Sequence, residues 1–151
     1  EKTVAEEAHR TIAPLVGPTG RVLAIDIEPK MLEVIAERAG REHVTNIATV
    51  RSSERDPNLA PHSVDLLFMV DVYHELSQPQ AMLRRLRAAL KPGGRLVLLE
   101  YRKEDPTIPI KFEHKMSVAE AKMELEAEGF ALAKVDEALP RQHILIFTPK
   151  L

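Results

Sequence analysis

The sequence predicts an α/β fold: a mostly parallel sheet that ends in an antiparallel hairpin. Three observations carry this. Helical and strand signals alternate from end to end, the pattern of successive βαβ units. Residues 21–28, 64–70 and 95–101 are short, branched and almost continuously apolar, as strands buried on both faces are. The last two strand signals, residues 130–138 and 142–148, are joined by Leu139-Pro140-Arg141, which reads as a hairpin.

The elements follow in order. Thr3 and Glu6 have the spacing of a capping box, and Val4, Ala8, Ile12 and Leu15 recur at helical spacing until Pro14 interrupts the ladder. Residues 17–20 (GPTG) form a turn into the first strand, residues 21–28. Pro29 suits the first turn of a helix that carries Met31, Leu32, Ile35 and Ala39 on one face, with Gly40 as its stop. Residues 47–51 are a weaker strand and residues 52–63 a polar loop. The strand at residues 64–70 ends at Asp71. Ser77 and Gln80 read as a second capping box before Leu83, Leu86 and Leu90. Residues 91–94 (KPGG) turn tightly into the strand 95–101, followed by a charged, proline-bearing loop over 103–115. Ser117 and Glu120 make a further capping box for a helix with Val118, Ala121 and Leu125 on its apolar face.

Bulk properties narrow the function classes. At 151 residues, 44% of them hydrophobic and 29% charged, the chain is expected to form a single domain over 1–151. Its net charge of −2 and the absence of any basic block give nucleic-acid binding no support. There is no cysteine, which excludes disulfides and thiol chemistry. No apolar run reaches the roughly 20 residues of a membrane span, and the first residues are polar, so a cytoplasmic protein is expected. His62, His114 and His143 show no ligand spacing, and His74-Glu75 has no second histidine four residues on, so no metal site is expected.

Three stretches, RVLAIDIEPKML (21–32), SVDLLFMVDVYHEL (63–76) and LKPGGRLVLLE (90–100), occur in the order and separation of a known family. From Gly17 onward the chain resembles the class I S-adenosylmethionine-dependent methyltransferases, in particular their small stand-alone domains. The resemblance implies a Rossmann-like methyltransferase sheet, S-adenosylmethionine as cofactor and a methyl acceptor that is a small molecule or remains unidentified. An acid at the carboxyl end of a parallel strand faces the crevice where open sheets bind ligands. Asp26 is so placed, and the resemblance makes it the acceptor for the ribose hydroxyls, with Ile27 against the adenine. The other reading of Asp26 is a cap on the next helix. Ser52 and Ser53 fall where the family contacts the adenine edge. Asp71 falls beside the cofactor's methionine moiety, or else caps a turn. Tyr73 and His74 are the candidate catalytic residues, His74 as a general base or as a structural donor.

The family opens with a strand and a glycine-rich turn that the resemblance would place around residues 1–7. Those residues read EKTVAEE, and no glycine precedes Gly17. On this reading the domain is truncated and its central first strand missing, which leaves the strands at 21–28 and 64–70 short of backbone partners. Self-association through the vacated sheet centre, as a homo-oligomer, is the expected repair. Two function classes follow: a methyltransferase, impaired by the lost loop, or a non-catalytic methyltransferase-fold remnant that binds itself or a partner. A nicotinamide enzyme fits less well, because the terminal hairpin and the missing Gly-x-Gly-x-x-Gly both oppose it.

Overall fold

The structure is a computed structural model that describes residues 11–151. The Thr3–Glu6 capping box and the segment 1–7 sought for the glycine-rich turn lie outside the described residues. The chain divides into two compact units, residues 1–53 and 54–151.

In the first unit a helical turn, Ala13–Leu15, leads to β1 (Val22–Asp26), α1 (Pro29–Arg41) and β2 (Ile47–Arg51). Asn46 ties the turn to the start of β2: its Nδ2 donates to the Ala13 carbonyl at 2.7 Å. β1 and β2 pair in parallel, in register from Val22↔Ile47 to Asp26↔Arg51. Pro29 starts α1, where its missing N–H costs nothing. Leu32, Ile35 and Ala39 are its buried face, as the periodicity predicts. The predicted stop at Gly40 is not where the helix ends. The chain continues to Arg41 and turns at His43, whose φ of 56° puts a side-chain-bearing residue in the left-handed region. The amides of His43 and Val44 donate back to the carbonyls of Gly40 and Ala39 at 3.3 and 2.9 Å, the paired bonds of a Schellman motif.

The second unit contains β3 (Val64–Val70), α2 (Pro79–Ala89), β4 (Leu90–Arg102), β5 (Lys115–Met116), α3 (Val118–Ala127), β6 (Phe130–Asp136) and β7 (Gln142–Pro149). The sheet order is β3-β4-β7-β6, with β5 added to the end of β4. β3 and β4 are parallel. β7 runs antiparallel between β4 and β6, so the terminal hairpin returns into the sheet. The expected turn at residues 91–94 is a bulge within β4: Val64 opposes Leu90 and Leu66 already opposes Arg95. Gly93 has φ 79°, and a Cβ on Gly94 would lie 2.9 Å from the Lys91 carbonyl, so both glycines are needed there. Leu96 and Leu98 of β4, Phe130 of β6, and Leu145 and Phe147 of β7 are fully buried. Leu83 and Leu86 of α2 and Leu125 of α3 cover them.

The Ser117 capping box forms in both directions: Glu120 N–H donates to Ser117 Oγ and Ser117 N–H to Glu120 Oε2, each at 3.0 Å. The box expected at Ser77 does not form. Pro79 takes the first helical position, so Gln78 becomes the N-cap, and its side chain makes no capping bond. In the loop 103–115, Ile108 is buried while Phe112 stays exposed, with the Lys103 ammonium 4.5 Å above its ring. Among the described residues no helix is long and apolar enough to cross a membrane.

Candidate functional site

In the first unit the carboxyl ends of β1 and β2 bring predicted residues together. Asp26 ends β1, and its main-chain carbonyl accepts the Ser52 N–H at 3.0 Å, so Ser52 is held one residue beyond β2 at the same rim. Ser53 follows it. Asp26 Oδ1 accepts the Glu28 N–H at 2.8 Å, fixing the turn into α1. The capping role foreseen for Asp26 is therefore real, and it occupies one oxygen. Among the described residues Oδ2 has no hydrogen-bond donor. Ile27 beside it is 43% exposed, a large apolar side chain presented to solvent next to a carboxylate.

In the second unit the carboxyl ends of β3 and β4 build a denser polar cluster. Val70 pairs with Leu99, so Asp71 and Glu100 emerge side by side. Asp71 has φ 54°, and its N–H donates to the Leu99 carbonyl at 2.8 Å. Its Oδ2 accepts from Gln142 Nε2 at 2.7 Å, while Oδ1 is buried without a partner among the described residues. Burial raises the Asp71 carboxyl above the usual range, and the Gln142 bond only partly offsets it. A 3₁₀ turn, Tyr73–Glu75, then brings His74 over Glu100. Glu100 is a fully buried carboxylate, raised by burial against the opposing pull of His74. Its Oε2 lies 2.7 Å from His74 Nδ1, and its Oε1 accepts the His74 main-chain N–H at 3.3 Å. With Glu100 as a carboxylate, a neutral His74 carries its proton on Nδ1, which leaves the Nε2 lone pair facing His114 and Glu75.

Tyr73 takes a different place from the one its sequence position implied. It is 2% exposed, and its hydroxyl donates to Glu124 Oε2 of α3 at 2.7 Å. Burial and that carboxylate push the phenol far upward. Its geometry is that of a residue tying β3's end to α3. Sequence reasoning also passed over Glu100, although one carboxylate closing the apolar run RLVLL is a visible signal. It could not pair His114 with His74. The 3₁₀ turn Phe112–His114 brings His114 Nδ1 to 3.4 Å from His74 Nε2 across 40 residues of sequence.

Comparison with known proteins identifies the family and the fold. A family model described as "Methyltransferase domain" matches residues 6–96, more than half of the chain. The chain belongs to this family, that of the class I S-adenosylmethionine-dependent methyltransferases, and the family assignment makes S-adenosylmethionine the cofactor of the fold. Among similar relatives is the "Ubiquinone/menaquinone biosynthesis C-methyltransferase UbiE" of Ectopseudomonas mendocina, 32% identical over 95 residues, covering 62% of this chain and 37% of that protein. The protein of the same name from Hahella chejuensis is 32% identical over 102 residues, covering 64% of this chain and 38% of its own length. The chain thus spans little more than a third of these curated relatives. A solved structure titled a "SAM dependent methyltransferase from Aquifex aeolicus" superimposes with TM-score 0.87 at 26% identity, over 95% of this chain and 76% of that one. The fold is therefore the Rossmann-like methyltransferase fold. The structure of "the [4+2]-Cyclase SpnF" shares it, with TM-score 0.78 at 12% identity over 97% of this chain and 72% of that one. The shared fold leaves the reaction to be argued from the site.

Proposed function

We propose that this chain transfers a methyl group from S-adenosylmethionine to a small-molecule nucleophile, its two units belonging to one domain. The β1–β2 rim supports the reading: a carboxylate with one oxygen committed to its own turn and one without a donor among the described residues, beside an exposed Ile27 and a half-buried Ser52. These residues fit the nucleoside end of the cofactor. Asp26 Oδ2 accepts the ribose hydroxyls, Ile27 covers the adenine, and Ser52 and Ser53 address its polar edge. In the second unit Asp71 is the residue that the family resemblance assigns to the cofactor's methionine end, and its Oδ1 has no partner among the described residues.

When bound, S-adenosylmethionine supplies an electrophilic methyl group on a sulfonium, so the protein's share is binding and orientation. Glu100 holds the Nδ1 proton of His74 and orients the ring, leaving Nε2 to accept a proton from the acceptor as it is methylated. Tyr73 contributes by holding the turn that carries His74. Calorimetric titration with S-adenosylmethionine and its demethylated product tests this. Binding that Asp26→Ala abolishes supports it; a folded protein that binds neither at millimolar concentration refutes it.

A second reading, a non-catalytic self-associating module, is favoured by Leu66 and Phe68, which stay exposed on β3, the end strand of the second unit's sheet. Light scattering at high dilution separates it: a cooperative monomer that binds the cofactor removes it.

A further inference from the structure

We infer that His74, Glu75 and His114 form a binding site for a divalent transition metal of the zinc type. The inference does not rest on methyl transfer. Among the described residues these three offer ligand atoms that all lie within 4.8 Å of one another. His74 Nε2 is 3.4 Å from His114 Nδ1 and 3.9 Å from Glu75 Oε1. Zinc binds imidazole nitrogen at about 2.0–2.1 Å in a tetrahedron, whose ligand–ligand edge is then about 3.3–3.4 Å. The two nitrogens already have that spacing. An octahedral ion such as magnesium, with bonds of about 2.1 Å, needs edges near 3 Å and prefers oxygen ligands. Two imidazoles and one carboxylate select a borderline ion instead.

Orientation supports the assignment independently of spacing. A metal-binding histidine ordinarily donates its other N–H to a carboxylate, which fixes the tautomer and strengthens the ligand. His74 does so to Glu100, a carboxylate with no solvent exposure, so its free nitrogen is the one aimed at His114. His74 is held by the core, whereas Glu75 and His114 are exposed and adjust at small cost. Three protein ligands leave the fourth position to water, the arrangement of an accessible rather than a sealed site. The ion would join the turn after β3 to the turn before β5, anchoring the loop 103–115. It would also occupy the His74 nitrogen assigned above to proton transfer, so metal binding and base action exclude each other.

The competing explanation is a plain hydrogen bond from His114 Nδ1–H to His74 Nε2, and titration distinguishes the two. The full chain, without cofactor, is titrated with zinc against a chromophoric chelator, with magnesium as control. The expected result is one zinc per chain, no competition by magnesium, and a rise in melting temperature with zinc. His114→Ala and Glu75→Gln, both surface changes, should weaken zinc by at least about tenfold without lowering the melting temperature of the metal-free protein. Glu100→Gln tests the positioning role and should weaken zinc about 10- to 100-fold. Cobalt in place of zinc should give the intense visible bands of a tetrahedral ion. No zinc binding at submillimolar concentration overturns the inference, as does binding that His114→Ala leaves unchanged. Either outcome leaves the cofactor titration unaffected, so the two readings fail separately.

Discussion

Replacing Asp26 with asparagine separates the two tasks assigned to that side chain. The amide keeps one oxygen, which continues to accept the Glu28 N–H and to hold the turn into α1. It replaces the second oxygen with an NH2 group and removes the charge. The turn bond, worth about 0.5–1.5 kcal/mol net, is therefore retained. A hydrogen bond to an ionised acceptor, worth about 1.5–3 kcal/mol, is lost from the ligand, and that corresponds to roughly a 10- to 150-fold weaker Kd. Asp26→Asn should thus melt close to the parent yet bind S-adenosylhomocysteine at least tenfold more weakly. Asp26→Ala should lose both affinity and about 1 kcal/mol of stability. Calorimetric titration and urea unfolding read the two quantities separately. If Asp26→Asn binds within about twofold of the parent, Oδ2 does not meet the ribose and the nucleoside assignment is wrong.

Asp71→Asn should leave the protein as stable or slightly more so at neutral pH, because burial disfavours the charged carboxylate, while cofactor affinity falls; unfolding and titration on one sample check this. Ser117→Ala should lower stability by about 1 kcal/mol in urea unfolding, since one side of the only capping box among the described residues disappears. His43→Gly should add about 0.5–1 kcal/mol, because the left-handed residue after α1 then carries no Cβ. Glu104 and Glu137 clamp the buried His143 at 2.6 and 2.5 Å. Partial burial pushes both carboxyls upward, but hydrogen bonds from His143, with Arg102 at Glu137 and backbone amides at Glu104, outweigh it and hold both below the usual range. Their contribution is therefore present above the ordinary carboxylate pKa near 4.3 and is lost as pH falls through the lower folded values. His143→Gln should flatten the loss of stability between about pH 5 and 3, measured by urea midpoints.

Most of the architecture was legible because its signals are periodic. A branched apolar run reads as a strand in isolation as it does in the sheet: β1 and β3 fall within their predicted spans, and β4 contains the predicted 95–101 and runs past it at both ends. The burial expected of such a run was not met throughout, since Leu66 and Phe68 of β3 are exposed. Local end signals were less secure. Ser117 capped its helix because the residues after it are free to turn, whereas Pro79 moved the cap of α2 to Gln78. Gly40 looked like a stop, yet the hydrogen bonds that close α1 belong to a turn centred on His43. The place of Asp26 at the end of β1 was readable because strand end and acid coincide in sequence. His114 was not, because only the loop 103–115 decides where it lands. Tyr73 was ambiguous for another reason: an aromatic just past a strand can face the rim or the core, and the choice here was set by Glu124, 51 residues away.

Three locally unfavourable features of the second unit meet at one rim. Asp71 adopts a left-handed backbone, its Oδ1 is buried without a partner among the described residues, and Glu100 is a carboxylate removed from solvent. Each costs stability, and the packing of Leu96, Leu98 and Phe147 needs none of them. A core under selection for stability alone would replace Glu100 with an apolar residue, like Leu96 and Leu98 on the same buried face of β4. What the carboxylate achieves instead is to fix which nitrogen His74 presents outward. A cost that results in one defined lone pair at the carboxyl edge of a sheet is the mark of a site that binds or reacts. Whether that lone pair takes a proton or a metal is then decided by what His114 and Glu75 hold beside it.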